Sequence, residues 1–221
     1  MKKIMVAPSI LSADFANMAE EISKIEKGGA DLVHCDVMDG VFVPNITFGI
    51  KMVADIKKRT SLPLDVHLMI VHPEKYVEKF AKAGADYITV HYEACQDNLI
   101  DVLQKIKALN VKCGAVINPD TPVEKIKDAV AYCDMVVIMS VFPGFGGQKF
   151  ISEVLEKVAE IRKIAENNGK NILIEIDGGV NRETIKAVKN AGIDVAVAGS
   201  AVFGASSYEE EIKFLQGNYE F

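Results

Sequence analysis

No cysteine pair in this 221-residue chain has the Cys-x-x-Cys spacing of a thiolate metal site. The four cysteines, Cys35, Cys95, Cys113 and Cys133, are scattered, and Cys35 and Cys113 lie within apolar runs. A cysteine there behaves as a small buried hydrophobe. Structural zinc through cysteine is therefore not expected, and all four read as reduced thiols of a cytoplasmic protein. A basic cluster is absent as well, and the net charge is −6. Nucleic acid is thus not an expected partner, because phosphate-backbone binding needs clustered Lys and Arg. No apolar run reaches the roughly 20 residues that cross a bilayer, so no membrane partner is expected. The lysine-bearing N-terminus breaks at Pro8, too early for a signal peptide. Linkers and low-complexity segments are missing, and residues 1–221 are expected to form one domain. Against these absences, 49% apolar and 25% charged residues describe a soluble globular chain with a real core.

One pattern repeats from end to end: a short apolar run, a turn, then a segment of helical period. The runs are 4–7, 32–37, 64–69, 87–91, 112–117, 135–139, 172–176 and 195–198. Amphipathic stretches follow at 16–26, 50–58, 73–83, 99–109, 123–132, 151–167, 182–190 and 208–215. Gly-Gly-Ala-Asp at 28–31, Ala-Gly-Ala-Asp at 83–86 and Ala-Gly-Ile-Asp at 191–194 close helices and open strands. Alternating strands and helices imply a parallel sheet, since parallel neighbours need crossovers. Eight such units fit a compact α/β barrel of the (β/α)8 TIM type. The runner-up is an open doubly wound sheet, but no G-x-G-x-x-G follows the first run; Pro8-Ser9-Ile10-Leu11 stands there.

The polar residues collect at the ends of three runs. Residues 31–40 read Asp-Leu-Val-His-Cys-Asp-Val-Met-Asp-Gly, with His34 and Asp36 two apart and so on one face of a strand. The third run carries Asp65 and His67, and the seventh Glu175 and Asp177. In such a barrel the active site lies at the C-terminal strand ends. His34, Asp36, His67 and Asp177 can converge there on one divalent cation, with mixed nitrogen and oxygen ligands suiting Zn, Fe, Mn or Co. Any one of them alone is better read as a hydrogen-bonded core residue; four at matching strand ends favour the metal. Alternation places Asp65 and Glu175 one layer deeper, and at least one is expected behind a ligand histidine as the acceptor of its other ring N–H. Met38, Met69 and Met139 lie one layer outward, as packing and as an apolar wall over the site. His72, beside Pro73, is read as a capping or solvent-facing residue. His91 is read equally as pocket-lining or structural.

Glycine-rich turns follow the last three runs: Pro143-Gly144-Phe145-Gly146-Gly147-Gln148, Gly178-Gly179 and Gly199-Ser200. Glycine lets backbone N–H groups approach an anion, and barrels of this kind often hold phosphate after strands seven and eight. One such turn needs no ligand to explain it. Three adjacent turns point to a phosphate cradle.

These residues resemble the ribulose-phosphate 3-epimerase family over nearly the whole chain. Seven segments in order carry the resemblance: Ala7-Pro-Ser-Ile-Leu-Ser-Ala-Asp14-Phe15, His34-Cys-Asp-Val-Met-Asp-Gly40, Phe42-Val-Pro-Asn45, Asp65-Val-His-Leu-Met69, Pro143-Gly-Phe-Gly-Gly-Gln148, Glu175-Ile-Asp-Gly-Gly179 and Val197-Ala-Gly-Ser200. The resemblance implies a TIM barrel of the ribulose-phosphate-binding type and a single divalent metal held by His34, Asp36, His67 and Asp177. It implies no organic cofactor. Asp36 and Asp177 would be opposed proton carriers for C3 epimerisation of D-ribulose 5-phosphate to D-xylulose 5-phosphate through an enediolate, a step of the pentose phosphate pathway. Ser9 and His67 would touch the sugar, and residues Gly144, Phe145, Gly146, Gly147, Gly178, Gly179, Gly199 and Ser200 would hold its phosphate. Homo-oligomers, dimers or hexamers, are also implied. One position departs: Phe142 stands where the family usually has asparagine. It is expected in the pocket wall or as a lid, and it leaves the exact sugar open, with D-allulose 6-phosphate the alternative. Metal-free decarboxylases on related barrels typically carry Asp-x-Lys in the second strand, whereas here Asp36 is followed two on by Met38. A non-catalytic phosphosugar-binding barrel would be expected to have lost a carboxylate, and both are present.

Overall fold

The apolar runs pair with one another in parallel in the computed structural model, which describes residues 3–217. The strands are β1 (Met5–Ala7), β2 (Val33–Met38), β3 (Leu64–Met69), β4 (Tyr87–His91), β5 (Lys112–Ile117), β6 (Met135–Met139), β7 (Leu173–Asp177) and β8 (Val195–Val197). They form one sheet in the order β1-β8-β7-β6-β5-β4-β3-β2. Its two edges meet: the Asp31 N–H donates to Val6 O at 3.0 Å, the His34 N–H donates to Pro8 O at 3.1 Å, and Ser9 bridges to His34 in parallel. The result is a nearly closed (β/α)8 barrel. Each strand lies within one residue of the run expected for it, as the fraying of strand ends allows.

Period-two alternation sorts each strand into two faces. Val33, Cys35 and Val37 of β2 pack outward with Ile22, Ile25 and Val53 of the helical layer, while His34, Asp36 and Met38 take the inward positions. The same split runs round the barrel, with Val66, Ile88, Ala115, Ile138 and Ile176 outward. Val116, Met135, Val137, Val195 and Val197 form a separate cluster inside. Burial on both faces is why these strands read as continuous apolar runs rather than as alternating ones.

The aspartate that ends each Ala-Asp or Ile-Asp turn has a defined job. Asp31, Asp86 and Asp194 each accept the N–H of a residue on the preceding odd-numbered strand, Val6, Leu64 and Ile174, at 2.8–2.9 Å. Asp134 does the same for Cys113 at 3.0 Å. Four carboxylates thus satisfy the backbone donors where strands enter the barrel, at the end opposite the polar strand termini.

The helices are α1 (Met18–Lys27), α2 (Ile50–Lys57), α3 (Val77–Ala83), α4 (Tyr92–Cys95), α5 (Leu99–Ala108), α6 (Lys157–Asn167), α7 (Ile185–Asn190), α8 (Ser200–Phe203) and α9 (Tyr208–Gln216). One expected helix is absent. Residues 123–132 instead form two 3-10 turns, Val123–Ile126 and Ala129–Tyr132. Their buried residues Val123, Ile126 and Ala129 recur every third position, the period of a 3-10 turn. Short 3-10 turns also precede α3 and α6. The four cysteines are free and buried. Burial pushes the Cys113 thiol up to about 11 and the Cys95 thiol up to about 12. Among the described residues no helix is long and apolar enough to cross a membrane. Of the expected 1–221 domain, residues 1–2 and 218–221 lie outside the described residues.

Candidate active site

Strand register decides which side chains meet at the C-terminal mouth. In β2 and β3, His34 pairs with Asp65, Asp36 with His67 and Met38 with Met69. Asp177 ends β7 beside Met139 of β6 and Val197 of β8. One ligand atom from each of His34, Asp36, His67 and Asp177 lies within 4.8 Å of the other three. His34 Nε2 is 3.3 Å from Asp36 Oδ1 and 3.6 Å from Asp177 Oδ2. His67 Nδ1 is 3.4 Å from each of the same two oxygens. A tetrahedral centre with bonds of about 2.0–2.2 Å has edges of about 3.3–3.6 Å. All four of these histidine–carboxylate separations match that length. Both inward ring nitrogens, His34 Nε2 and His67 Nδ1, are buried without a hydrogen-bond partner. A buried polar atom is rarely left unpaired, and two aimed at one point are what a cation would satisfy. The four residues can hold a metal ion.

Behind them, Asp65 Oδ2 lies 2.6 Å from His34 Nδ1, and Glu175 Oε1 lies 3.6 Å from the same nitrogen. Above them opens a cleft lined by Ser9, Met38, Met69, Met139 and the three glycine-rich turns. Two turns require their glycines. Gly178 has φ +120, and a Cβ there would lie 2.4 Å from Val141 Cγ2; a Cβ on Gly199 would lie 2.6 Å from Ser12 Oγ.

The model of the ribulose-phosphate 3 epimerase family matches residues 5–203. A ribulose-phosphate 3-epimerase of Bacillus subtilis is 53% identical over 97% of this chain and 99% of its own length. One of Synechocystis is 52% identical over 96% of this chain and 92% of its own. The chain belongs to the ribulose-phosphate 3-epimerase family. Among solved structures, a 3-hexulose-6-phosphate synthase superposes with a TM-score of 0.70 over 99% of this chain and 100% of that one. At 22% identity that likeness concerns the barrel alone.

In this member of the epimerase family the centre is built to attract positive charge. For His34, burial works against protonation, but the charges of Asp36 and Asp65 outweigh it and raise the pKa well above its usual value. For Asp36, burial opposes ionisation, and His34 and His67 more than offset it, lowering the pKa. Asp177 is lowered too: burial and the Asp36 charge oppose ionisation, and the two neighbouring histidines prevail. Glu175 goes the other way, raised by burial and by the Asp65 charge. The lowered pKa values of the two strand-end aspartates mark a pocket that favours a cation at its middle.

Two expected positions lie outside the cleft lining. Phe142 is half exposed and does not line the cleft, because the inward position beside it belongs to Val141, buried under Gly178. What Phe142 contributes is a backbone carbonyl that accepts from Gln148 Nε2 at 2.7 Å. His67 is fully buried beneath the cleft floor, its Nε2 2.8 Å from His91 Nε2. Ser9 lines the cleft, and its hydroxyl donates to Asp36 Oδ2. His72 is exposed, with a left-handed backbone before Pro73.

Four residues to which the sequence assigns no role also shape the site. Thr47 Oγ1 donates to Asp36 O at 2.6 Å and accepts from the Met38 N–H at 3.1 Å, pinning the end of β2. Ser140 Oγ donates to Gly178 O at 2.6 Å and to Asp177 O at 3.0 Å, pinning the end of β7. Asn45 Nδ2 donates to Gly144 O at 2.9 Å, joining the loop after β2 to the loop after β6. Glu93 faces His91. Of these, Ser140 carried a usable signal: a polar residue directly after an apolar strand and before a glycine-rich turn.

Proposed function

We propose that this chain is a metal-dependent sugar-phosphate 3-epimerase that interconverts D-ribulose 5-phosphate and D-xylulose 5-phosphate. The observation that carries the reading is the clustering of two carboxylates, Asp36 of β2 and Asp177 of β7, with two histidines at one centre. Their strands are separated round the barrel by β8 and β1, so the carboxylates reach the centre from different directions.

Inverting C3 of a ketose phosphate requires a proton to leave one face and another to arrive on the opposite face. Asp36 takes the proton on its side while Asp177, protonated, delivers one from the other; the roles exchange for the reverse reaction. Ser9, hydrogen-bonded to Asp36, keeps that carboxylate turned to the cleft. Met38, Met69 and Met139 exclude water from the reacting carbon. The turns containing Gly144, Phe145, Gly146, Gly147, Gly178, Gly179, Gly199 and Ser200 line the cleft and would hold the phosphate, placing C3 between the aspartates. His34, Asp36, His67 and Asp177 would hold one divalent cation from the set Zn, Fe, Mn and Co. When bound, such a cation supplies Lewis-acid stabilisation of the negative charge that develops beside C3.

A coupled assay of metal-analysed protein tests the reading, with D-ribulose 5-phosphate and D-allulose 6-phosphate offered in parallel. Preferential turnover of the five-carbon sugar is expected. Preference for the six-carbon sugar would reassign the substrate, and turnover of neither would sink the proposal. A cytoplasmic location and a dimeric or hexameric state belong to the same reading; sedimentation of the purified protein decides the second.

A further inference from the structure

His67 is held from behind by a chain of hydrogen bonds that the proton-transfer chemistry does not use. Its Nε2 lies 2.8 Å from His91 Nε2, and the two rings stack with centroids 5.0 Å apart. Two imidazole nitrogens at that separation share one proton: two bare nitrogens would repel, and two N–H groups would collide. The other end of His91 shows which nitrogen carries it. His91 Nδ1 is 3.1 Å from Glu93 Oε2, and the second oxygen of Glu93 already accepts the Asn118 N–H at 2.9 Å and the Thr121 hydroxyl. A carboxylate taking two donors on one oxygen presents the other as an acceptor. His91 therefore carries its proton on Nδ1 and leaves Nε2 bare. The shared proton then sits on His67 Nε2, which leaves His67 Nδ1 as a lone pair directed at Asp36 and Asp177.

We infer that His91 and Glu93 are positioning residues that lock His67 in its metal-binding tautomer through a directed relay, His67 to His91 to Glu93, terminated by Asn118 and Thr121 of the loop after β5. This rests on the metal-centre reading of the preceding subsection. The two histidines of the centre are thus supported differently. His34 donates straight to the Asp65 carboxylate at 2.6 Å, whereas His67 reaches its carboxylate through an intervening neutral ring. Two carboxylates already contribute to the centre and two more lie behind His34. Setting Glu93 one ring away fixes the His67 tautomer without placing another negative charge directly against it.

Glu93→Gln is the sharpest test because it keeps the shape and reverses the direction. Asn118 and Thr121 require an oxygen on their side, so the new amide turns its NH2 toward His91 Nδ1. His91 must then accept there and carry its proton on Nε2, which moves the proton of His67 onto Nδ1, where the metal would bind. Zinc and cobalt affinities of the full chain are measured by competition with a chromophoric chelator, and ring-nitrogen NMR shifts at alkaline pH, where the imidazole carries a single proton, report the His67 tautomer in the metal-free protein. Wild type is expected in the Nε2–H form, and Glu93→Gln is expected to bind metal about 10–100-fold more weakly with an unchanged circular dichroism spectrum. His91→Leu should lose affinity similarly, and His91→Gln, whose carbonyl can accept from His67 Nε2–H, should recover part of it. A wild-type His67 found as the Nδ1–H tautomer, or wild-type affinity in Glu93→Gln, would overturn the relay. A wild-type chain without affinity for any divalent cation would instead overturn the metal centre, with the nitrogen shifts still deciding the relay.

Discussion

At the scale of single residues, the centre depends on side chains whose neighbours fix their charge. Glu93 shows the logic without a metal. Burial alone would raise its pKa, but hydrogen bonds from His91, Thr121 and the Asn118 amide overcome that and hold it at about 2. A carboxylate lowered in the folded state stabilises the fold above its ordinary pKa near 4.5, and loses that contribution as pH falls through the folded value. The stability gap between wild type and Glu93→Gln is therefore expected to be full above pH 4.5 and to close on acidification toward about pH 2. Denaturant titrations of both proteins across that range check it, and a gap that widened on acidification would contradict the assignment. The candidate ligands were legible from alternation: ionisable residues two apart in an apolar strand share a face, and β2, β3 and β7 carry such pairs, His34 with Asp36, Asp65 with His67 and Glu175 with Asp177. Glu93 was not legible. Its partners Asn118 and Thr121 lie on the loop after β5, and only the closed barrel brings that loop to the end of β4.

At the scale of elements, the strands were readable because burial on both faces writes an unbroken apolar run. The 123–132 stretch was misread because a three-residue spacing of Val123, Ile126 and Ala129 satisfies a helical pattern over so short a length. Strand ends are a finer matter. The terminus of β7 must present Asp177 and then turn sharply, and Ser140 and Val141 of the neighbouring strand exit hold it there. Gly178→Ala would place a Cβ in a left-handed backbone at 2.4 Å from Val141 Cγ2. Such overpacking and backbone strain typically cost about 1–3 kcal/mol each. The variant is expected to unfold at lower denaturant and to lose turnover beyond what its folded fraction explains, because Asp177 and the adjacent Gly178-Gly179 turn shift together. Circular dichroism melts paired with kinetics at saturating substrate separate the two effects; full turnover per folded molecule would show that the turn does not set the position of Asp177.

At the scale of the whole molecule, eight strands closed on themselves make the site and the fold one object: the ligand atoms come from β2, β3 and β7, and the cleft walls from the exits of β1, β6 and β8 as well. A cation bound by the folded chain alone stabilises it by about 2.7 kcal/mol when present at a hundred times its dissociation constant. Chelation is therefore expected to lower the melting temperature in a single cooperative transition, as for one domain spanning residues 1–221. Two resolved transitions would contradict that domain assignment, and an unmoved melting point would contradict the metal. The central claim, that Asp36 and Asp177 serve opposite faces of one carbon, is tested most directly by following deuterium at C3 in heavy water. Wild type should interconvert the two pentulose phosphates with solvent deuterium entering at C3. With metal content matched, Asp36→Asn and Asp177→Asn should each lose interconversion by about 10²–10⁴-fold. Each should still exchange the C3 hydrogen of one epimer, and the two variants should differ in which. Near-normal interconversion in either variant, or exchange of the same epimer by both, would contradict the account.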